Sequence, residues 1–263
     1  ITIHDLIKHF FKGKETTTKN PILYSIKHFG YLILINLIVR RNQIIVPSNI
    51  WRDYLIKNFN LKENQVTTTH EAVDPTFLIN TKDDKPSEDP DNYLIYTGNL
   101  YPHKNIEIVF KALKKLPNIT LKIICARSFF SDKIKKQVKN SGLSKQVEFL
   151  GYLDDLQFKN VYKQALALIH PSLMEGFSLT GLEAMALNCP VISSNASCLP
   201  EIYDNSVLYF DPNNSEDLVD KVNKLNNNLE LRKKLINLGH QQVDKYSWTK
   251  TAKLTLGVYQ NLL

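Results

Sequence analysis

The pattern of residues 93–210 predicts an α/β protein built on a doubly wound parallel sheet, and three observations carry it. Short apolar runs near 93–97, 119–125, 146–150, 166–170, 190–194 and 207–210 read as strands buried on both faces. Amphipathic stretches near 104–116, 131–141, 155–164, 178–187, 198–204 and 215–227 alternate with them as helices. Such alternation requires crossover connections, and their right-handedness distributes the helices over both faces of the sheet.

Ahead of this unit lies a partial one over residues 1–74. Ile1–Ile3 reads as a strand that ends at His4-Asp5, followed by a polar loop, Gly13–Asn20. A helix from about Pro21 to Arg40 follows, with Pro21 suited to the first turn and Asn20 to the cap. Gln43–Pro47 is a short strand. Ser48 then stands where it can cap a helix over 49–59, whose apolar face carries Trp51, Tyr54, Leu55 and Phe59. Val66–Thr69 is another short strand. Residues 75–92, rich in Asp, Lys, Pro and Ser, read as a linker to the main unit at 93–245, and a last helix occupies 246–263.

The 263 residues suffice for two ordinary domains, and 43% hydrophobic content supplies their cores. Cys125, Cys189 and Cys198 form no CxxC pair, so they read as reduced thiols, and no metal-ligand spacing is present. Residues 1–63 hold ten Lys/Arg against four Asp/Glu, a basic surface that could meet an anionic membrane face, a phosphorylated acceptor or nucleic acid, with a solvated face as the plain structural reading. No RNP motif, zinc finger or aromatic-interleaved basic helix accompanies it, which argues against nucleic acid. The longest apolar run, Tyr31–Val39, has nine residues, so no bilayer span is expected. There is no signal peptide, and the chain opens without methionine inside a strand, as a piece lacking the front of its first domain would.

Candidate chemistry lies at the carboxyl ends of the strands, where open parallel sheets bind ligands. Gly98, Asn99 and Lys104 follow the first strand of the main unit; Gly151-Tyr152-Leu153 follow the third. In the stretch HPSLMEGFSLTGLEAMALNCPVISS, Gly176 permits close backbone approach, and Ser178 or Thr180 can cap a helix whose first N–H groups suit a phosphate. Glu175 and Glu183 bracket this turn with seven residues between them. Structural readings stand beside these: Thr180 with Glu183 fits a capping box, Glu175 a solvated loop carboxylate, and Lys104 an exposed first-turn lysine. Eight helical residues would hold the two carboxylates about 12 Å apart on one side of a cleft, unlike the facing pair of a glycoside hydrolase.

The EGF, LEAM and CPVI segments around this spacing resemble the E-x7-E motif of the retaining glycosyltransferases of family 4, and the histidine in ITIHD is similar to their acceptor-side His. The resemblance implies a GT-B fold: a complete C-terminal Rossmann-like domain and a partial N-terminal one. It implies transfer of a hexose, with retention, from a nucleotide-sugar of GDP-mannose or UDP-hexose type to a glycan or lipid-linked acceptor. No cofactor or divalent metal is implied, and the enzyme would be cytoplasmic, at the inner face of the membrane. His4 and Glu175 would be catalytic. Gly98, Asn99, Lys104, Tyr152, Gly176, Phe177, Ser178, Leu179 and Glu183 would bind the donor. Asn99 departs from the family's usual arginine, and Ala72 from a usual glycine. A non-catalytic sugar-nucleotide-binding remnant and an epimerase of the same architecture are the alternatives.

Overall fold

The computed structural model describes residues 1–13, 20–78, 90–125 and 129–262. A short helix α1 (Ile7–Phe10) precedes α2 (Pro21–Arg41), whose cap is the expected Asn20, its side chain accepting the Ile22 N–H at 2.9 Å. Strand β1 (Ile44–Val46), helix α3 (Asn49–Phe59) and strand β2 (Val66–Thr68) follow. β1 and β2 pair in parallel, and only Thr2 of the expected first strand bridges to Ile45. The backbone of Ile1 and Ile3 still bonds to Ile45, so the segment lies along β1 without becoming a full strand. Ile3, Leu6, Val39, Ile44, Trp51 and Leu55 form the core of this smaller unit.

Pro75–Leu78 form a one-turn helix, α4, and β3 begins at Asp91; the rest of the expected linker, residues 79–89, lies outside the described residues. The larger unit then runs β3 (Asp91–Thr97), α5 (Ile106–Leu113), β4 (Thr120–Ile124), α6 (Ser131–Asn140), β5 (Val147–Phe149), α7 (Asp155–Gln164) and β6 (Ala165–His170). It continues through α8 (Leu179–Ala186), β7 (Val191–Ser194), α9 (Leu199–Tyr203), β8 (Leu208–Phe210), α10 (Ser215–Asn226), α11 (Leu229–Val243) and α12 (Trp248–Gln260). The six strands of this sheet are parallel in the order β5-β4-β3-β6-β7-β8. From β3 the chain winds outward one way, then returns to β6 and winds the other way. The crevice between β3 and β6 is therefore the topological switch point, where such sheets bind ligands.

Two apolar clusters sandwich the sheet. Leu94, Val109, Leu113, Leu121 and Ile123 lie in one; Ile95, Leu168, Leu182, Val191 and Ile202 lie in the other. Burying a side chain of this kind contributes about 1.5–3 kcal/mol, which makes this sheet the rigid scaffold of the molecule. Arg232 of α11 is buried too, its guanidinium donating to the carbonyls of Ala165 and Leu166 at the start of β6.

α2 has 21 residues and, by length and composition, is apolar enough to cross a membrane. Lys27, His28 and Asn36 punctuate this otherwise apolar helix, so its uninterrupted apolar runs stay short.

Candidate functional site

The loops leaving β3 and β6 meet over the switch point. After β3, Gly98 takes φ +134°, a conformation that favours glycine, and one 3₁₀ turn over Pro102–Lys104 carries the lysine. After β6, the chain passes His170 and reaches Glu175. Lys104 Nζ donates to both Glu175 carboxylate oxygens, at 2.7 and 3.0 Å. His170 Nε2 lies 3.0 Å from the same carboxylate, and its Nδ1 lies 2.9 Å from the Tyr203 hydroxyl. Glu175 and His170 are both buried. Burial pushes the Glu175 carboxyl up, but Lys104 and His170 together outweigh it and hold it well below the usual carboxylate range. The carboxylate is thus a fixed negative charge rather than a solvated loop group.

Gly176 follows at once. A Cβ there would lie 2.2 Å from the His4 carbonyl oxygen, so the close approach that demands glycine is made by the smaller unit's backbone. The Gly176 and Glu175 carbonyls accept hydrogen bonds from Ser48 Oγ (2.8 Å) and Trp51 Nε1 (2.9 Å). His4 itself is exposed beside this loop, its Nδ1 3.0 Å from Glu71 Oε1. Phe177 turns inward between His70 and Tyr246, leaving only its backbone available to a ligand, and Leu179 is half-buried against the same apolar cluster.

Ser178 occupies the N-cap position of α8 but makes no cap bond; with φ +84°, its hydroxyl turns to Tyr203 at 2.7 Å. The Tyr203 hydroxyl also accepts the Gly181 N–H at 3.1 Å, so one of the helix's free donors is already used. Glu183, one turn further on, is half-buried, and its carboxylate has no hydrogen-bond or ion-pair partner among the described residues. The capping box with Thr180, the structural alternative for Glu183, therefore does not form. Burial first, and then the Asp74 charge, raises the Glu183 carboxyl above its ordinary value. An acceptor-only group left in this state is suited to receive a ligand's hydroxyl donors.

Beside the cluster, a cavity of about 460 Å³ opens at the carboxyl ends of β3, β4 and β5. Gly98, Asn99, Ile124, Gly151, Tyr152 and Phe158 are among its lining residues. Thr97, also in the lining, accepts a hydrogen bond from the Tyr162 hydroxyl at 2.6 Å. The expected residues thus fall into a cavity (Gly98, Asn99, Tyr152), a charged cluster (Lys104, Glu175) and an unpaired carboxylate (Glu183). The sequence reading missed His170 and Tyr203. His170 stands in the same HPS…EGF stretch, five residues before Glu175, and its place at a strand's carboxyl end was the available signal. Among the described residues, no His, Cys, Asp and Glu groups gather as a metal site.

A family model, glycosyl transferases group 1, matches residues 79–242. The O-antigen chain mannosyltransferase RfbU of Salmonella typhimurium is 28% identical over 238 residues, covering 86% of this chain and 63% of its own length. O-antigen chain mannosyltransferase B of Escherichia coli is 26% identical over 230 residues, covering 83% and 60%. This chain therefore spans somewhat under two thirds of these curated relatives. Among solved structures, a sucrose-phosphate synthase from Thermosynechococcus elongatus superposes with a TM-score of 0.79 at 20% identity, over 99% of this chain and 67% of its own. Anabaena HepE, solved in complex with UDP-glucose, gives 0.72 at 17% identity, over 99% and 71%. These likenesses establish the GT-B fold, and with the match over residues 79–242 the chain belongs to the glycosyl transferases group 1.

Proposed function

We propose that this chain carries the donor site of a retaining hexosyltransferase of family 4, using a nucleotide-sugar of GDP-mannose or UDP-hexose type. The observation that carries the reading is the meeting of Lys104, from the β3 loop, with Glu175, from the β6 loop, at the switch point of the sheet. A GDP- or UDP-sugar has one base, two ribose hydroxyls and a diphosphate that gains negative charge as its bond to the sugar breaks. The cavity beside Tyr152 takes the base, and Glu183 accepts from the ribose. Lys104 and the remaining N–H groups at the start of α8 meet the diphosphate charge as the bond to the sugar breaks, without a divalent metal. Glu175, fixed and ionised, accepts from hydroxyls of the transferred sugar, while His4 faces the acceptor from across the cleft. The mannosyltransferase names of RfbU and its Escherichia coli counterpart support a mannosyl donor and a polysaccharide acceptor, free or lipid-linked. A lipid-linked acceptor would be met at the cytoplasmic face of the membrane, which the basic charge of residues 1–63 suits.

Thermal-shift titration with GDP-, UDP- and dTDP-sugars tests the donor. One nucleotide series is expected to raise the melting temperature, with EDTA making no difference. Glu183→Ala is expected to remove that shift while the unliganded protein melts within about 1 kcal/mol of the parent, because no hydrogen bond is lost. A variant that melts lower but still binds would return Glu183 to a structural role.

A further inference from the structure

Helix α2 carries two apolar stripes. Tyr24, His28, Tyr31, Ile35 and Val39 face the smaller unit. Val39 is fully buried, Ile35 packs on the core, and the Tyr31 hydroxyl lies 2.9 Å from His9 Nδ1. At 3.6 residues per turn, Ile22, Ile26, Phe29, Ile33 and Leu37 fall on the opposite side. All five are between 48% and 71% exposed. A continuous outward stripe of five large side chains over four turns marks an interaction surface, unlike apolar residues scattered singly.

Charge selects the partner. The helix contains no acidic residue; Lys27 stands at the margin of the stripe, and Arg40 and Arg41 close its C-terminal end. A helix packed on the protein along one side, with an apolar free side and cations beside it, fits a surface that is apolar below and anionic above. Another part of a protein is a poorer fit. An apolar protein face seated on the stripe would have to desolvate Lys27, Arg40 and Arg41, whereas lipid phosphates pair with them. A transmembrane placement is also disfavoured, because it would strip the inner stripe from its packing and break the His9–Tyr31 contact.

We propose that α2 lies flat in the interface of an anionic bilayer, with its outward stripe among the acyl chains and Lys27, Arg40 and Arg41 at the phosphates. The inference deepens the reading of a lipid-linked acceptor by naming the surface that holds the enzyme beside it, yet the binding itself can be read without any chemistry. Co-sedimentation with vesicles of phosphatidylcholine, alone or equimolar with phosphatidylglycerol, tests it on the chain as it stands. Pelleting is expected with the anionic vesicles only. Ile26→Ser with Ile33→Ser lowers the partition coefficient about tenfold or more. Arg40→Gln with Arg41→Gln lowers it about fivefold per charge. Phe29→Trp, compared with the parent to remove the two native tryptophans, blue-shifts on those vesicles and is quenched best by lipids brominated near the headgroup. Three results would overturn the proposal: no blue shift on anionic vesicles, a blue shift without lipid that grows with protein concentration (a second copy), or quenching strongest at the chain ends (a span). Donor thermal shifts measured on the same variants stay at the parent value, so loss of the membrane surface and loss of the donor site read out separately.

Discussion

Glu175 has a carboxylate that burial alone would neutralise. It stays ionised because Lys104 grips both of its oxygens and His170 stands 3.0 Å away. Such a cluster is costly to break on one side. Lys104→Ala leaves a buried charge facing His170 alone, so denaturant unfolding is expected to show a loss of about 3–5 kcal/mol. Lys104→Ala combined with Glu175→Gln should recover most of that loss, since the uncompensated charge is gone. Neither variant should recover affinity for a nucleoside diphosphate, whereas the monophosphate should bind nearly as to the parent in calorimetric titration. Equal loss for both nucleotides would remove Lys104 from the diphosphate. The residue types at this centre could be read from the sequence, because Lys104 and Glu175 stand at strand ends where chemistry is expected. Their partnership could not, since it spans 71 residues. Gly176 shows the same limit: its need for glycine was evident, but the atom that imposes it belongs to His4, far away in the chain.

Strands and helices of the larger unit follow the sequence pattern to within about two residues at most ends, because apolar periodicity is local information. Capping was less readable. Ser48 has the extended backbone of an N-cap before α3, yet its hydroxyl donates to the Gly176 carbonyl instead. The donors at the start of α3 are satisfied by Glu201 of α9, whose carboxylate accepts from Asn49 N (2.7 Å) and Ile50 N (3.1 Å). His70 Nε2 lies 3.2 Å from the same group. A helix of the smaller unit is thus capped by the larger one, and the negative charge sits at the favourable end of the helix dipole. Glu201→Ala is expected to cost about 1–2 kcal/mol in unfolding free energy. It should also speed proteolysis near residues 46–50 more than within the six-stranded sheet, where Glu201→Gln retains partial protection. Uniform loss of protection over both units would mean that the carboxylate stabilises α9 alone.

Contact between the two units decides how the molecule answers acid. His103, in the turn that delivers Lys104, is buried with its ring 5.5 Å from Phe11 of the smaller unit. Burial first, and then Lys104, lower its pKa from 6.5 to about 4, against the weaker opposing pull of Glu175 and Asp5. The unfolded chain takes up this proton near pH 6.5 and the folded one not until about pH 4, so stability rises with pH across that window and is flat above it. The full effect is about 3 kcal/mol, reached as pH falls to the folded value. His9 and His28 are lowered as well and act in the same sense. Glu183 acts in the opposite sense: its raised pKa favours the folded state in acid, and that contribution fades as pH climbs through the folded value. Glu175, held low, stabilises the fold above its unfolded pKa and withdraws that help progressively as pH falls below it, mostly beneath the histidine window. His103→Gln is therefore expected to flatten the slope of unfolding free energy between about pH 4 and 6.5 while leaving the value above pH 7 within about 1 kcal/mol of the parent. An unchanged slope in that variant would place the titration on His9 and His28, and so on the packing of α2 rather than on the turn that presents Lys104.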